Sequence, residues 1–116
     1  MKYQTQVLNI LIGAKALILK GWCKNWSAVT CTGANVSPYD KRAVRWCLGG
    51  AIFVAGRLFV NADSGCDPVV QEARRILEKI LHYSCSIERF NDEAKTKEEV
   101  VRALTEAISY VESYHG

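Results

Sequence analysis

The sequence is short of most things that announce a chemistry. It has two histidines, His82 and His115, and no two of its five cysteines stand in CxxC spacing. The usual structural zinc sites are therefore excluded, and neither metal nor cofactor is expected. No GK[ST] triplet follows Gly49-Gly50, so this pair is not a phosphate loop. No apolar run is suited to crossing a bilayer. Asn9, Lys15 and Lys20 interrupt the first, and glycines break up the central one. Internal repeats and low-complexity stretches are absent. Charge of neither sign dominates, since fifteen Lys and Arg against twelve Asp and Glu leave a formal +3. That is modest for a nucleic-acid binder and of the wrong sign for an acidic mimic of DNA.

What is present is core-forming material. Of 116 residues, 49% are hydrophobic and 23% charged, enough for a packed interior and room for one domain, residues 1–116. The apolar start is not followed by a small-residue cleavage site, and the cysteine count is odd. The expectation is a cytoplasmic protein with reduced thiols.

The stretch Ser37–Phe59 organises the rest. Ser37 suits an N-cap, Pro38 the first helical position, and Asp40 the capping-box place. From Trp46 to Ala55 nearly every direction around a helix is apolar, which predicts a buried central helix. Before it, Thr5–Lys20 carries Val7, Leu8, Leu11, Ala14, Leu17 and Ile18 at helical spacing and stops at Gly21. Gly21–Val36 lacks that period, and its Thr32-Gly33-Ala34-Asn35 turn predicts a β-hairpin. Asp67-Pro68 opens a third helix with an apolar stripe from Val69 to Leu81. Ser84–Lys95 reads as a connecting segment. Thr96-Lys97-Glu98-Glu99 is a capping box that opens the last helix. The expected fold class is mainly α: a four-helix domain around a buried central helix, with a short β-hairpin between helices 1 and 2.

Three motifs carry a resemblance: Gly21-Trp22-Cys23, Ala43-Val44-Arg45-Trp46-Cys47, and Asn91-Asp92 followed by Thr96. Together they resemble an uncharacterised family of small bacterial and phage proteins, a domain of unknown function. The likeness runs from about Ala16 to Ile108. It departs from the pattern at Asn25-Trp26 and between Arg57 and Ser86. It implies no activity. It implies that these residues gather in one place. It also implies a phage or mobile-element setting, in which small proteins bind a host defence protein or a nucleotide-like signal.

The candidate site follows from both lines. Arg45 with Trp46 and Trp22 can form a cation–aromatic platform for a flat anionic ligand. Alternatively, the tryptophans fill the core and Arg45 pairs with Asp92. Asn91 and Asp92 precede a capped helix and suit either ligand contact or turn formation. Cys47 falls on an apolar helix. Cys23 is the more accessible thiol, but His82 is the only internal base for either. The leading expectation is a small non-enzymatic binding or interaction module for a nucleotide-like anion or a host protein. Its ligand residues would be Trp22, Arg45, Trp46, Asn91 and Asp92. One alternative is a hydrolase built on Cys23 or Asp92. Another is a nucleic-acid-associated regulator using Lys41, Arg42, Arg45, Arg74 and Arg75. Membrane contact is not expected, and homo-oligomer formation is left open.

Overall fold

A computed structural model of the chain describes residues 1–81 and 86–114. His82, Ser84, Cys85 and His115 lie outside the described residues. Five helices are seen among the described residues: α1 (Gln4–Lys20), α2 (Leu48–Val60), α3 (Pro68–Leu81), α4 (Ile87–Glu93) and α5 (Lys97–Glu112). Three two-residue strands, β1 (Ala28–Val29), β2 (Asn35–Val36) and β3 (Arg45–Trp46), form an antiparallel sheet in the order β2-β1-β3. Ala28 lies opposite both Val36 and Trp46, so the predicted hairpin exists and carries a third strand.

The central helix starts eleven residues later than Ser37, at Leu48. Local bonds explain the shift. The Tyr39 amide donates to the Ser37 hydroxyl at 3.2 Å, and the Arg42 amide donates to the Asp40 carboxylate at 2.8 Å. The same short polar side chains that cap helices close turns when the chain bends away. Here it bends because the Val44 amide donates to the Val29 carbonyl at 2.9 Å, drawing the segment into the sheet. Cys47 takes over as N-cap, its Sγ accepting from the Gly50 amide at 3.3 Å. The helix count rises from four to five because the connecting segment contains α4. Ser86 caps it by accepting from the Arg89 amide.

Once begun, α2 is the buried helix its composition requires. Leu48, Ala51, Ile52 and Ala55 are wholly inaccessible to solvent. It is covered by α1 through Ile10, Leu11, Ala14 and Ile18, and by α3 through Val70, Ala73, Ile76 and Leu77, all in one cluster. Val100, Leu104, Ala107 and Val111 of α5 close the same core against α1 and α3. The expected capping box is present: the Thr96 amide donates to the Glu99 carboxylate at 2.9 Å, and the Thr96 side chain accepts from the Glu99 amide. Gly50 permits the hairpin to reach α2, since a Cβ there would stand 2.2 Å from the Ser27 carbonyl oxygen. Among the described residues no helix is long and apolar enough to cross a membrane.

Leu48→Ala removes a fully buried side chain from the start of the central helix. A destabilisation of about 2–5 kcal/mol in denaturant melts is expected from the lost burial and the cavity. A loss below about 1 kcal/mol would place Leu48 outside the core.

Candidate functional site

Three of the sequence-predicted residues, Trp22, Asn91 and Asp92, meet at the first turn of α2, where Asn91 is central. It lies within the seven residues of α4 and is completely buried. Its Oδ1 accepts from the Trp22 indole N–H at 2.8 Å and from the Leu48 backbone N–H at 3.0 Å. Its Nδ2 donates to the Cys23 carbonyl at 3.1 Å and to the Asp92 carboxylate at 3.3 Å. A carboxamide has two acceptor lone pairs and two N–H donors, so all its capacity is used. Asp92 Oδ1 also accepts from the Asn25 amide at 2.8 Å, fixing a turn in which Asn25 is left-handed at φ 73°. Trp22, Asn91 and Asp92 thus meet, but they bond to one another and to the backbone.

Arg45 does not complete that cluster. It lies on β3, is exposed, and runs its stem against Gly21. It makes no ion pair with Asp92 among the described residues. The expected pairing fails because Arg45 is in a strand at the surface, where its charge stays hydrated and needs no buried partner. The cation over Trp22 is Lys24, 5.9 Å from the ring centre. Trp22 and Trp46 are joined through their backbones: the Trp46 amide donates to the Gly21 carbonyl, and the Cys23 amide to the Trp46 carbonyl. Their indoles part company, because Trp46 donates to the Pro38 carbonyl at 3.2 Å.

Neither thiol near this cluster is activated. Burial, then the neighbouring Cys47, pushes the Cys23 thiol up to about 11; Arg45 opposes this and Asp92 adds to it. Burial also raises the Cys47 thiol, against the lowering effect of the Gly50 and Gly49 amides. Both hold their protons at neutral pH, the opposite of a nucleophile's requirement. Glu88, which lies against Gly49, is held by Arg74 through two bonds of 2.7 and 3.0 Å. The basic set is also dispersed into pairs: Arg42 with Asp40, Arg74 with Glu88, Arg75 with Glu72. No continuous basic stripe arises from them.

A different feature adjoins the cluster. The end of α1, the loop before β3 and the second half of α2 enclose a groove of about 310 Å³. Leu17, Trp46 and Val54 provide apolar lining, and Lys20, Lys41 and Arg57 provide three cations. The Arg57 guanidinium lies over the Tyr39 ring, 3.5 Å from its centre. The groove's one acidic residue, Asp40, is engaged by Arg42, whose hydrogen bonds hold its carboxyl down to about 2. Of the five expected ligand residues only Trp46 lines this groove, joined by Lys41 from the nucleic-acid alternative. Lys20, Tyr39 and Arg57 carry no sequence signal as a site, because a helix drawn from Ser37 leaves no loop there to form a wall.

Two outcomes follow from the cluster. Asn91→Ala strands the Leu48 amide and the Cys23 carbonyl in the interior, and a loss of about 2–4 kcal/mol in equilibrium unfolding is expected. A change within about 0.5 kcal/mol would show that the carboxamide holds nothing together. In brief alkylation at pH 7.5 followed by peptide mass mapping, exposed Cys31 and Cys66 should be labelled before Cys23 and Cys47. The Cys23 rate should keep rising with pH towards about 11. Because its folded value exceeds the ordinary 9.0, its stabilising contribution is complete below pH 9 and declines as pH rises through that window. Rapid labelling of Cys23 at neutral pH would contradict this environment.

No curated protein and no solved structure matches the chain. A family model does match, over residues 2–110, and so spans α1 to α5 and the cluster around Asn91. By that match, the chain belongs to the family of unknown function DUF6197.

Proposed function

We propose that this protein is a small non-enzymatic binding module whose groove takes a compact anion with a flat apolar body, nucleotide-like in charge and shape. The observation that carries the reading is the trio Lys20, Lys41 and Arg57 around a lining that includes Trp46, with the one lining carboxylate already satisfied by Arg42. An aromatic face favours a planar group, and a guanidinium with two ammonium groups favours phosphate or carboxylate oxygens. Stacking on Tyr39 holds Arg57 in place before any ligand arrives, which reduces the ordering cost of binding. A volume of about 310 Å³ falls at the small end of ligand sites, which run from roughly 300 to 1,000 Å³. In the bacterial or phage setting that the sequence motifs suggest, a nucleotide-like signal is the fitting ligand class. Trp22, Asn91 and Asp92 support the groove indirectly, by holding the segment that leads to Trp46.

Isothermal titration of the full chain with the four common ribonucleoside monophosphates and diphosphates tests this. At least one should bind, and Arg57→Gln should weaken it by about tenfold, the worth of one charge-assisted hydrogen bond. Lys20→Ala should act in the same direction. Binding by none of them, or binding indifferent to both substitutions, would remove the reading.

A further inference from the structure

A second surface adjoins that groove, with Lys20, Arg57 and Leu58 at their common edge. The exposed side of α1 is apolar: Ile12 is 48% and Leu19 51% exposed, with exposed Ala16 between them. Spacings of four and three residues put these side chains on one stripe. From α2, Leu58 at 64% and Phe59 at 55% exposure extend the patch. Phe59 reaches α1 because Gly13 has no side chain; a Cβ there would stand 2.3 Å from the ring. On the other flank Leu19, Val101 and Thr105 line a hollow of about 490 Å³ between α1 and α5. Single exposed apolar residues need no explanation, but a continuous band across three helices does.

The charge around the band is predominantly positive. Neither α1 nor α2 contains an Asp or Glu, and the first acidic residue of the chain is Asp40. Lys15, Lys20 and Arg57 border the band from α1 and α2. Lys97 and Arg102 border the hollow on α5, against Glu98 alone. We infer that this face docks an acidic amphipathic helix of a partner protein, its apolar side in the hollow beside Leu19 and its carboxylates on the surrounding cations. A second copy of the chain would bring these cations against their own kind. A bilayer surface would meet the exposed ridge but leave the hollow between α1 and α5 unfilled, whereas a helix fills such a groove.

The test pans a displayed library of random peptides of roughly 16 residues, about four helical turns, against the full chain. Ile12→Glu/Leu19→Glu serves as the subtraction control; its fold is verified by circular dichroism and thermal melting. Enriched peptides should carry apolar residues at i, i+3 or i+4, and i+7, with Asp and Glu between them. They should bind the unaltered chain about tenfold or more tightly than the control, less so as salt rises. Absence of enrichment, enrichment in basic or aperiodic peptides, or equal binding to the control overturns the inference. So does Ile12-dependent co-sedimentation with vesicles containing about one-third phosphatidylserine, which would assign the face to membranes. Ile12-dependent dimerisation in sedimentation equilibrium would assign it to a second copy, with the same consequence.

Discussion

One carboxamide joins three parts of the chain that sequence keeps far apart. Asn91 on α4 binds the Trp22 indole, the Cys23 carbonyl and the first amide of α2. Buried polar groups are costly when left without partners, and in a low-dielectric interior their satisfied bonds are strengthened. The arrangement therefore tolerates little displacement. With Trp22 and Cys23 held, the backbone bonds from Gly21 and Cys23 to Trp46 set the position of β3, and β3 sets the wall of the groove. The start of α2 is sealed by the same bonds: Asn91 takes the Leu48 amide, Cys47 takes that of Gly50, and Glu88 lies over Gly49. Helix N-termini commonly receive anions, but this one is filled from within. Positive charge for the proposed ligand would come from side chains elsewhere, namely Lys20, Lys41 and Arg57.

Much of this fold is legible in the sequence wherever burial repeats with a fixed period. The stripes of α1, α3 and α5 are such repeats, and the all-apolar run of α2 marks the centre of the core. The start of α2 is not legible. Ser37, Pro38 and Asp40 have the composition of a helix cap and the composition of a turn, and the choice between them is made by a bond to Val29, fifteen residues from Val44. Seven-residue α4 is too short to display a period, and its cap Ser86 is one serine among several. The meeting of Trp22 with Asn91 came from the motif resemblance; local spacing contains no trace of it. The expected Arg45 pairing depends on the same displaced helix: at a helix–core boundary it would need a carboxylate, and in an exposed strand it does not.

The residues that make the sequence recognisable thus do architectural work, and the proposed binding falls to the surfaces they position. Cys23 and Cys47 fit that division, since burial keeps both thiols protonated. Asp92 fits it too, its carboxylate spent on the Asn25 turn and on Asn91. The two proposed surfaces lie to either side of α1's C-terminal half, with Lys20 between the ligand groove and the apolar band. Both exploit the absence of acidic residues from α1 and α2.

The central claim is that the Asn91 carboxamide locks the first turn of α2 to the rest of the molecule. First-turn amides have no partner within their own helix and ordinarily exchange with solvent through local fraying. Native-state hydrogen exchange of the Leu48 amide, followed by NMR across a denaturant series, therefore tests the claim most directly. The account predicts that Leu48 exchanges only through global unfolding, with the same free energy and denaturant dependence as the core amides of α2. Exchange through a local opening about 2 kcal/mol or more below the global value would contradict it.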